Sequence, residues 1–281
     1  MNYTALSAAI QAYTENSDTG FVNEIPVFVR QAEQRIYNTV QIANLRKNMT
    51  GGLVAGNKYL SCPADFLSTY SLAIYARPST TATGGSGQLT IVVASAAGIQ
   101  IGMYVSGTGI AVGAKVALVL GTTVTLTLAN TSSVSGTVVF QGDYIYLLNR
   151  DVNYIRQVYP NPALRATPKY YAIFGPNSED INELTFIVGP TPDIAYQAEL
   201  HFYYYPESIV TAGTSWLGDN FDSTLLYGSL VEAYTYMKGE QDLMAIYDTK
   251  FKESLMLLKN LGDGKQRGDA YLDGQVKVPV R

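Results

Sequence analysis

Apolar residues recur at three- and four-residue steps at both ends of the chain, and at two-residue steps through much of its middle. Leu6, Ala9, Ile10 and Tyr13 share one helical face, with Thr4 placed to cap it. A second helix is marked by Ile25, Phe28, Val29, Ala32, Ile36 and Val40, with Asn23 as its cap and Pro26 in its first turn, where a missing N–H is harmless. Its polar side carries Arg30, Glu33 and Arg35. From Asp219 to about Lys238 the stripe is Leu225, Leu226, Leu230, Ala233, Tyr234 and Met237, ending at Gly239. Asp242 starts a fourth helix whose repeat is Leu243, Ile246, Tyr247, Phe251, Leu255, Leu258 and Leu261, and Gly262 is placed to end it. Beyond it, 263–281 loses the helical period and closes with Val276, Val278 and Val280 alternating around Lys277 and Pro279, the pattern of an extended arm that orders against a partner.

Between the helical ends, 52–75 and 143–210 read as strands and turns, with 151–158 open to a short helix or a turn. Alternation is plain in Leu184-Thr185-Phe186-Ile187-Val188 and from Ala198 to Tyr205. A change of composition at Pro78, reversed at Asp143, marks off a different segment. Residues 78–142 hold 11 of the chain's 25 glycines and a single charged residue, Lys115. Short strands are predicted at 89–93, 104–106, 115–120, 122–128 and 137–140, led in by a flexible Gly84-Gly85-Ser86-Gly87. The fold class expected is therefore α+β: a helical bundle of two N-terminal and two C-terminal helices with a central β-rich section, plus an inserted all-β small domain. The domains are 1–77 with 143–262 as core, 78–142 as insert and 263–281 as a C-terminal arm.

Composition narrows the chemistry. One cysteine, Cys62, allows no internal disulfide, and with His201 as the one histidine no His/Cys cluster can hold zinc, haem or an iron–sulfur centre. No cofactor and no metal site is expected. A net charge of −4 argues against a surface that grips nucleic acid through its phosphates. The run 89–105 is broken by Gly98, Gln100 and Gly102, so no membrane span is expected, and Met1-Asn2-Tyr3-Thr4 opens without the pattern of an export signal, pointing to synthesis in a cytoplasm.

The residues able to do chemistry lack the company that chemistry needs. His201 and Glu199 share a strand face without a nucleophile motif. Cys62 beside Pro63 has no cationic neighbour in sequence. Asp180 with Glu183, and Glu240 with Asp242, could serve a hydrolase but fit turns and helix starts. Gly107, Gly109 and Gly113 miss dinucleotide spacing, and Gly264-Lys265 lacks the first glycine of a phosphate loop. Arg30, Arg35, Arg46 and Lys47 read as a solvated face or one turned to an acidic partner or DNA, and Tyr203 to Tyr205, without interleaved basic residues, as a packed strand. No catalytic residue is assigned, and the chain is expected not to be an enzyme.

Several strings taken together resemble the podovirus head-to-tail adaptor family, the tail tubular protein A type. They are Tyr59-Leu60-Ser61-Cys62-Pro63-Ala64-Asp65-Phe66-Leu67, Thr167-Pro168-Lys169-Tyr170-Tyr171-Ala172, Gly189-Pro190-Thr191-Pro192-Asp193, His201-Phe202-Tyr203-Tyr204-Tyr205-Pro206-Glu207, and Trp216-Leu217-Gly218-Asp219-Asn220 followed by Leu225-Leu226-Tyr227-Gly228. The resemblance spans nearly all of 1–77 and 143–281, whereas the insert is similar to small β-modules of phage tail and fibre proteins, chiefly through Gly102 to Ile110. It implies a virion connector: a dodecameric ring of this chain under the portal protein, its lumen continuous with the DNA channel. Its other partners would be the tail nozzle (tail tubular protein B) and tail fibre, with genomic DNA passing without sequence-specific binding. The portal-binding arm would then carry Lys265, Arg267, Tyr271, Val276, Lys277, Val278, Val280 and Arg281. Two other classes stay open on the residues alone: a virion-associated cell-wall hydrolase, and a receptor- or glycan-binding module through the β-insert.

Overall fold

The computed structural model describes residues 1–40, 45–176 and 184–273, the stretch 262–273 as backbone. The chain divides into two compact units, a helical one made of Met1–Arg46 with Tyr203–Arg281 and a β-rich one of Lys47–Phe202. The α+β class read from the periodicities is the class observed.

In the helical unit, α1 (Tyr3–Thr14) is capped by Asn2, whose side chain accepts from the Ala5 N–H at 2.9 Å, in place of Thr4. The second helix, α2 (Thr19–Thr39), starts four residues before the expected Asn23, capped by Asp18, so that Pro26 lies inside it. Burial explains the earlier start: Phe21 is enclosed and its ring packs on Phe28 and Tyr236, which holds the extra turn despite the proline downstream. Two short helices that the sequence pattern did not predict, α4 (Ile209–Ala212) and α5 (Trp216–Asn220), lead into α6 (Asp222–Met237) and α7 (Gln241–Asp273). Both α1 and α2 pack on α6, and α6 on α7. The crossing is close at Gly228, where a Cβ would stand 2.9 Å from Cε2 of Phe251 and 3.1 Å from Cβ of Ala32.

The last helix does not stop at Gly262 but runs to Asp273, so the stretch 263–273, read as the start of an extended arm, is helical. A glycine inside a helix costs about 1 kcal/mol relative to alanine, which weakens a helix without ending it. Lys265, Arg267 and Tyr271 therefore sit on α7; Val276, Lys277, Val278, Val280 and Arg281 lie outside the described residues.

The β unit contains two four-stranded sheets. One has the order β1 (Arg46–Leu53), β14 (Tyr196–Tyr204), β3 (Phe66–Ala76), β10 (Ile145–Tyr146); the other runs β11 (Leu148–Asn149), β12 (Tyr170–Gly175), β13 (Thr185–Gly189), β2 (Tyr59–Ser61). Their facing sides meet through aromatic rings: Phe66 of β3 lies edge-on to Phe186 of β13 at 5.4 Å and tilted to Phe202 of β14 at 5.8 Å. On the outer side of the second sheet, α3 (Val152–Val158, capped by Asp151) sets Ile155 against Ala172 and Ile187. This resolves the ambiguous 151–158 as helix and leaves β13 buried on both faces.

Between β3 and β10 the chain forms a third sheet from β4 (Ser79–Gly84), β5 (Thr90–Val93), β6 (Tyr104–Ser106), β7 (Val116–Leu120), β8 (Thr123–Leu126) and β9 (Val134–Gln141), in the order β6-β9-β4-β5-β8-β7. Its two ends meet. Tyr104 bridges Lys115, the Val105 N–H donates to the Ala114 carbonyl and the Val116 N–H to that of Met103, both at 2.9 Å. The sheet is thus a small closed barrel filled by Ile91, Val105, Val116, Val124, Leu126, Val138 and Phe140. Strand β4 was not predicted, since Ala82 is its one buried residue and the other side chains are small and polar. Nor is 84–87 a flexible lead-in: it is the tight β4–β5 turn, fastened by the buried Asn130, whose amide donates to the carbonyls of Gly85 and Thr90.

Candidate interaction surfaces

The side chains flagged for chemistry are dispersed and engaged elsewhere. The His201 ring packs on Tyr70 at 5.1 Å. Glu199 accepts instead from the Tyr144 hydroxyl at 3.0 Å and the Asn48 amide at 3.3 Å, and the first of these bonds is the main reason the Tyr144 hydroxyl titrates above its ordinary value. Cys62 is buried. Glu240 and Asp242 stand exposed where α7 begins, and Asp180 and Glu183 lie outside the described residues. Gly109 and Gly113 take positive φ in the β6–β7 loop, the geometry of turns. Among the described residues no group of three His, Cys, Asp or Glu side chains could hold a metal ion, and no helix is long and apolar enough to cross a membrane.

The basic residues also have assignments. Arg35 donates to Glu232 at 2.5 Å and lies over the Phe251 ring; Arg46 donates to the Tyr203 hydroxyl at 3.2 Å; Lys47 pairs with Asp65 at 2.7 Å. Arg30 is exposed. The polar side expected for α2 needs one correction. Glu33 is buried, 3% exposed, and accepts from the Ile209 N–H at 2.9 Å at the start of α4. Burial pushes its carboxyl above the usual range, opposed by the bonds from Ile209 and Ser208 and by the charge of Arg30. Its periodicity placed it correctly beside Arg30; the partner it meets, 176 residues away, carried no local signal.

What the molecule does present is apolar and aromatic surface. On α7 the buried side is Phe251, Ser254 and Leu258. Beside it Leu243, Ile246, Lys250, Glu253, Leu257 and Leu261 follow one another at three- and four-residue steps on an exposed stripe, with Ile246 50% and Leu257 66% accessible. The single repeat read in the sequence is therefore two adjoining faces, of which only one is covered within the unit. A shallow groove of about 330 Å³ follows the stripe along Ala245, Ile246, Thr249, Lys250 and Glu253.

In the β unit, the outer side of the first sheet bears Tyr70, Tyr144 and Tyr146, the last 67% exposed, with the Tyr144 ring tilted against Tyr75 at 4.7 Å and stacked on Tyr146 at 6.5 Å. Aromatic residues beside few charges are the make-up of interface centres. A second feature lies where β1 and β2, the end strands of their sheets, flank one side of the sandwich. There a cleft of about 180 Å³ is lined by Met49, Gly51, Leu60, Cys62, Ala198 and Leu200. A third, of about 240 Å³, separates the barrel turn at Ile101 and Gly102 from Thr167 and Tyr196. The Tyr196 hydroxyl donates to Asp193 at 2.7 Å, and burial, with that carboxylate alongside, pushes it up to about 12.

A family model described as SU10 adaptor protein matches residues 104–278. The match begins within the barrel at β6 and takes in the rest of it, the strands β10 to β14 and all the helices from α3 on, so part of the insert lies inside the family match. No curated protein matches the chain.

Proposed function

Because the chain belongs to the SU10 adaptor protein family, and so is a phage adaptor that contacts other virion components, we propose that it is the head-to-tail connector of a short-tailed phage. In this reading identical copies close into a ring, dodecameric as in the podovirus adaptors it resembles, between the portal protein and the tail nozzle. Genomic DNA passes through the lumen without being read. The role is structural, with no reaction attached to it.

The observation that carries the reading is the family match, and the surfaces support it. A ring of like subunits joins head to tail, so each subunit must offer two unlike patches. The α7 stripe on the helical unit and the tyrosine-bearing sheet face on the β unit are two such patches, both richer in apolar and aromatic side chains than a surface facing water needs to be. The portal-docking segment is the distal part of α7 with Lys265, Arg267 and Tyr271, and the residues past it, Val276, Lys277, Val278, Val280 and Arg281. The barrel is the outward-facing module, available to the nozzle or a fibre.

Negative-stain images of the protein mixed with purified portal rings test this directly. The full chain should add a ring of density to the portal, and the chain lacking 263–281 should stay folded, by its circular dichroism, yet remain unattached. Equal attachment by the truncated chain would remove the arm's assigned role; no attachment by either would remove the connector reading.

A further inference from the structure

The cleft between β1 and β2 is unfinished in a specific way. Strand β1 ends its sheet, so along 48–53 no further strand is laddered to its outer side among the described strands. Its eight residues are exposed except at the two ends, and none of them is a proline; its two charged residues, Arg46 and Lys47, stand at its start. A long exposed edge without proline and with no charge beyond its first two residues is a template for an extended chain of suitable pattern. Here the edge also borders an apolar cavity, walled by Leu60, Cys62 and Leu200 and floored on β1 by Met49 and Gly51. The occupant that fits is an extended strand with aliphatic side chains at every second position.

The sequence of residues 274–281, as long as β1 itself, has that pattern. Val276, Val278 and Val280 occupy alternate positions and would share one face. Pro279 settles which residues meet the edge. It has no N–H, so it is tolerated only where its backbone points away from the ladder, and Lys277 and Gln275 point away with it. That leaves the three valines to bond to β1, and these same residues turn their side chains into the cleft. The geometry of α7 favours supply from another subunit. At 1.5 Å per residue its 33 residues run about 50 Å, against about 24 Å for the 16 of α6, so the helix extends past its packing partner and delivers its end away from its own bundle. We infer that residues 274–281 of one copy add a strand to β1 of a second copy, seating their valines in the β1–β2 cleft. When a portal is present it competes for the same residues, so the contact belongs to subunits that have not yet docked.

Two proteins in a Cys62→Ser background test the register. One carries Met49→Cys and the other Val278→Cys; they are mixed and oxidised. A disulfide-linked pair is expected, several-fold more abundant than with Lys277→Cys in place of Val278→Cys. A yield no higher than that control, or a cross-link formed only within a chain bearing both cysteines, overturns the inference. A second measurement leaves Cys62 in place: wild-type chain should sediment as larger species with rising concentration, and Val278→Asp should lose that dependence. Identical sedimentation of the two overturns the inference as well. Neither measurement includes a portal, so a failure here leaves the connector reading standing, and failed portal docking would leave these results unchanged.

Discussion

Replacing Gly228 by alanine sets two effects of known sign against each other. Within α6 the change favours the helix by up to about 1 kcal/mol, because glycine loses more backbone freedom on folding. Against this, the new methyl would stand 2.9 Å from Cε2 of Phe251 and 3.1 Å from Cβ of Ala32. Neither neighbour can swing aside: Phe251 is 3% exposed, and the Ala32 Cβ, with no rotatable side chain, moves only with the backbone of α2. Overpacking of this sort costs about 1–3 kcal/mol, so the net expectation is a loss of about 1–2 kcal/mol. For a chain of this size that is a fall in Tm of roughly 2–8 °C, measurable by circular dichroism. Gly52→Ala, where nothing stands within 4 Å of the new methyl, is the matched control and should leave Tm nearly unchanged. Shortening the obstacle should restore the loss, so Gly228→Ala with Phe251→Leu should be more stable than the sum of the single changes. A Tm that rises in Gly228→Ala, or strictly additive changes in the double variant, would refute the claim that this crossing needs the absence of a side chain.

Glu33→Gln should alter how stability depends on pH. Its folded carboxyl titrates above the ordinary value of 4.5, so between the two the folded chain holds the proton more firmly and stability falls as pH rises through that window. Unfolding curves from pH 7 down to pH 4 should show wild type gaining on Glu33→Gln as the medium becomes acid, and a constant difference would contradict the buried carboxyl. Removing 78–142 and joining Arg77 to Asp143 by a short turn should leave a folded chain, because the bond of 2.9 Å from the Gly142 N–H to the Ala76 carbonyl shows that the two cut ends lie side by side. Gel filtration and circular dichroism check this; aggregation would mean that the barrel supports the sheets around it.

Strong periodicity made most of the architecture legible, and its failures have local causes. The stripe of α2 named its buried residues, but Pro26 drew the start downstream because the anchor that holds the extra turn, Phe21, finds its ring partner Tyr236 far along the chain. The repeat of α7 named apolar positions without saying how wide a face its neighbour covers; that width is set by α6, and Ile246 and Leu261 fall outside it. In the barrel, the strands that hold Ile91, Val105, Val124 and Leu126 were legible, whereas β4 was hidden because a narrow interior accepts Ala82 where a longer strand pattern would show a larger residue. The surfaces were the least legible of all. The β1–β2 cleft exists because two sheets end side by side; 49–63 supplies most of its lining, but Ala198 and Leu200 come from far along the chain, and no local pattern shows that the strands β1 and β2 belong to different sheets.

The barrel's attachment carries a mechanical consequence. The pairing of Ile145 with Ile74 continues through Gly142 bonded to Ala76 into Val139 opposite Ser79, so one antiparallel ribbon runs from the sheet into the barrel, with a one-residue change of register on the way. A tether of loose chain would let its load swivel. A hydrogen-bonded ribbon resists twisting and bending, and transmits a pull on the barrel along β3 into the middle of the sandwich, where Phe66 is clamped between Phe186 and Phe202. The barrel is in effect a handle on a stiff shaft, and a fibre or nozzle that gripped it would apply its torque to the aromatic core of the sandwich.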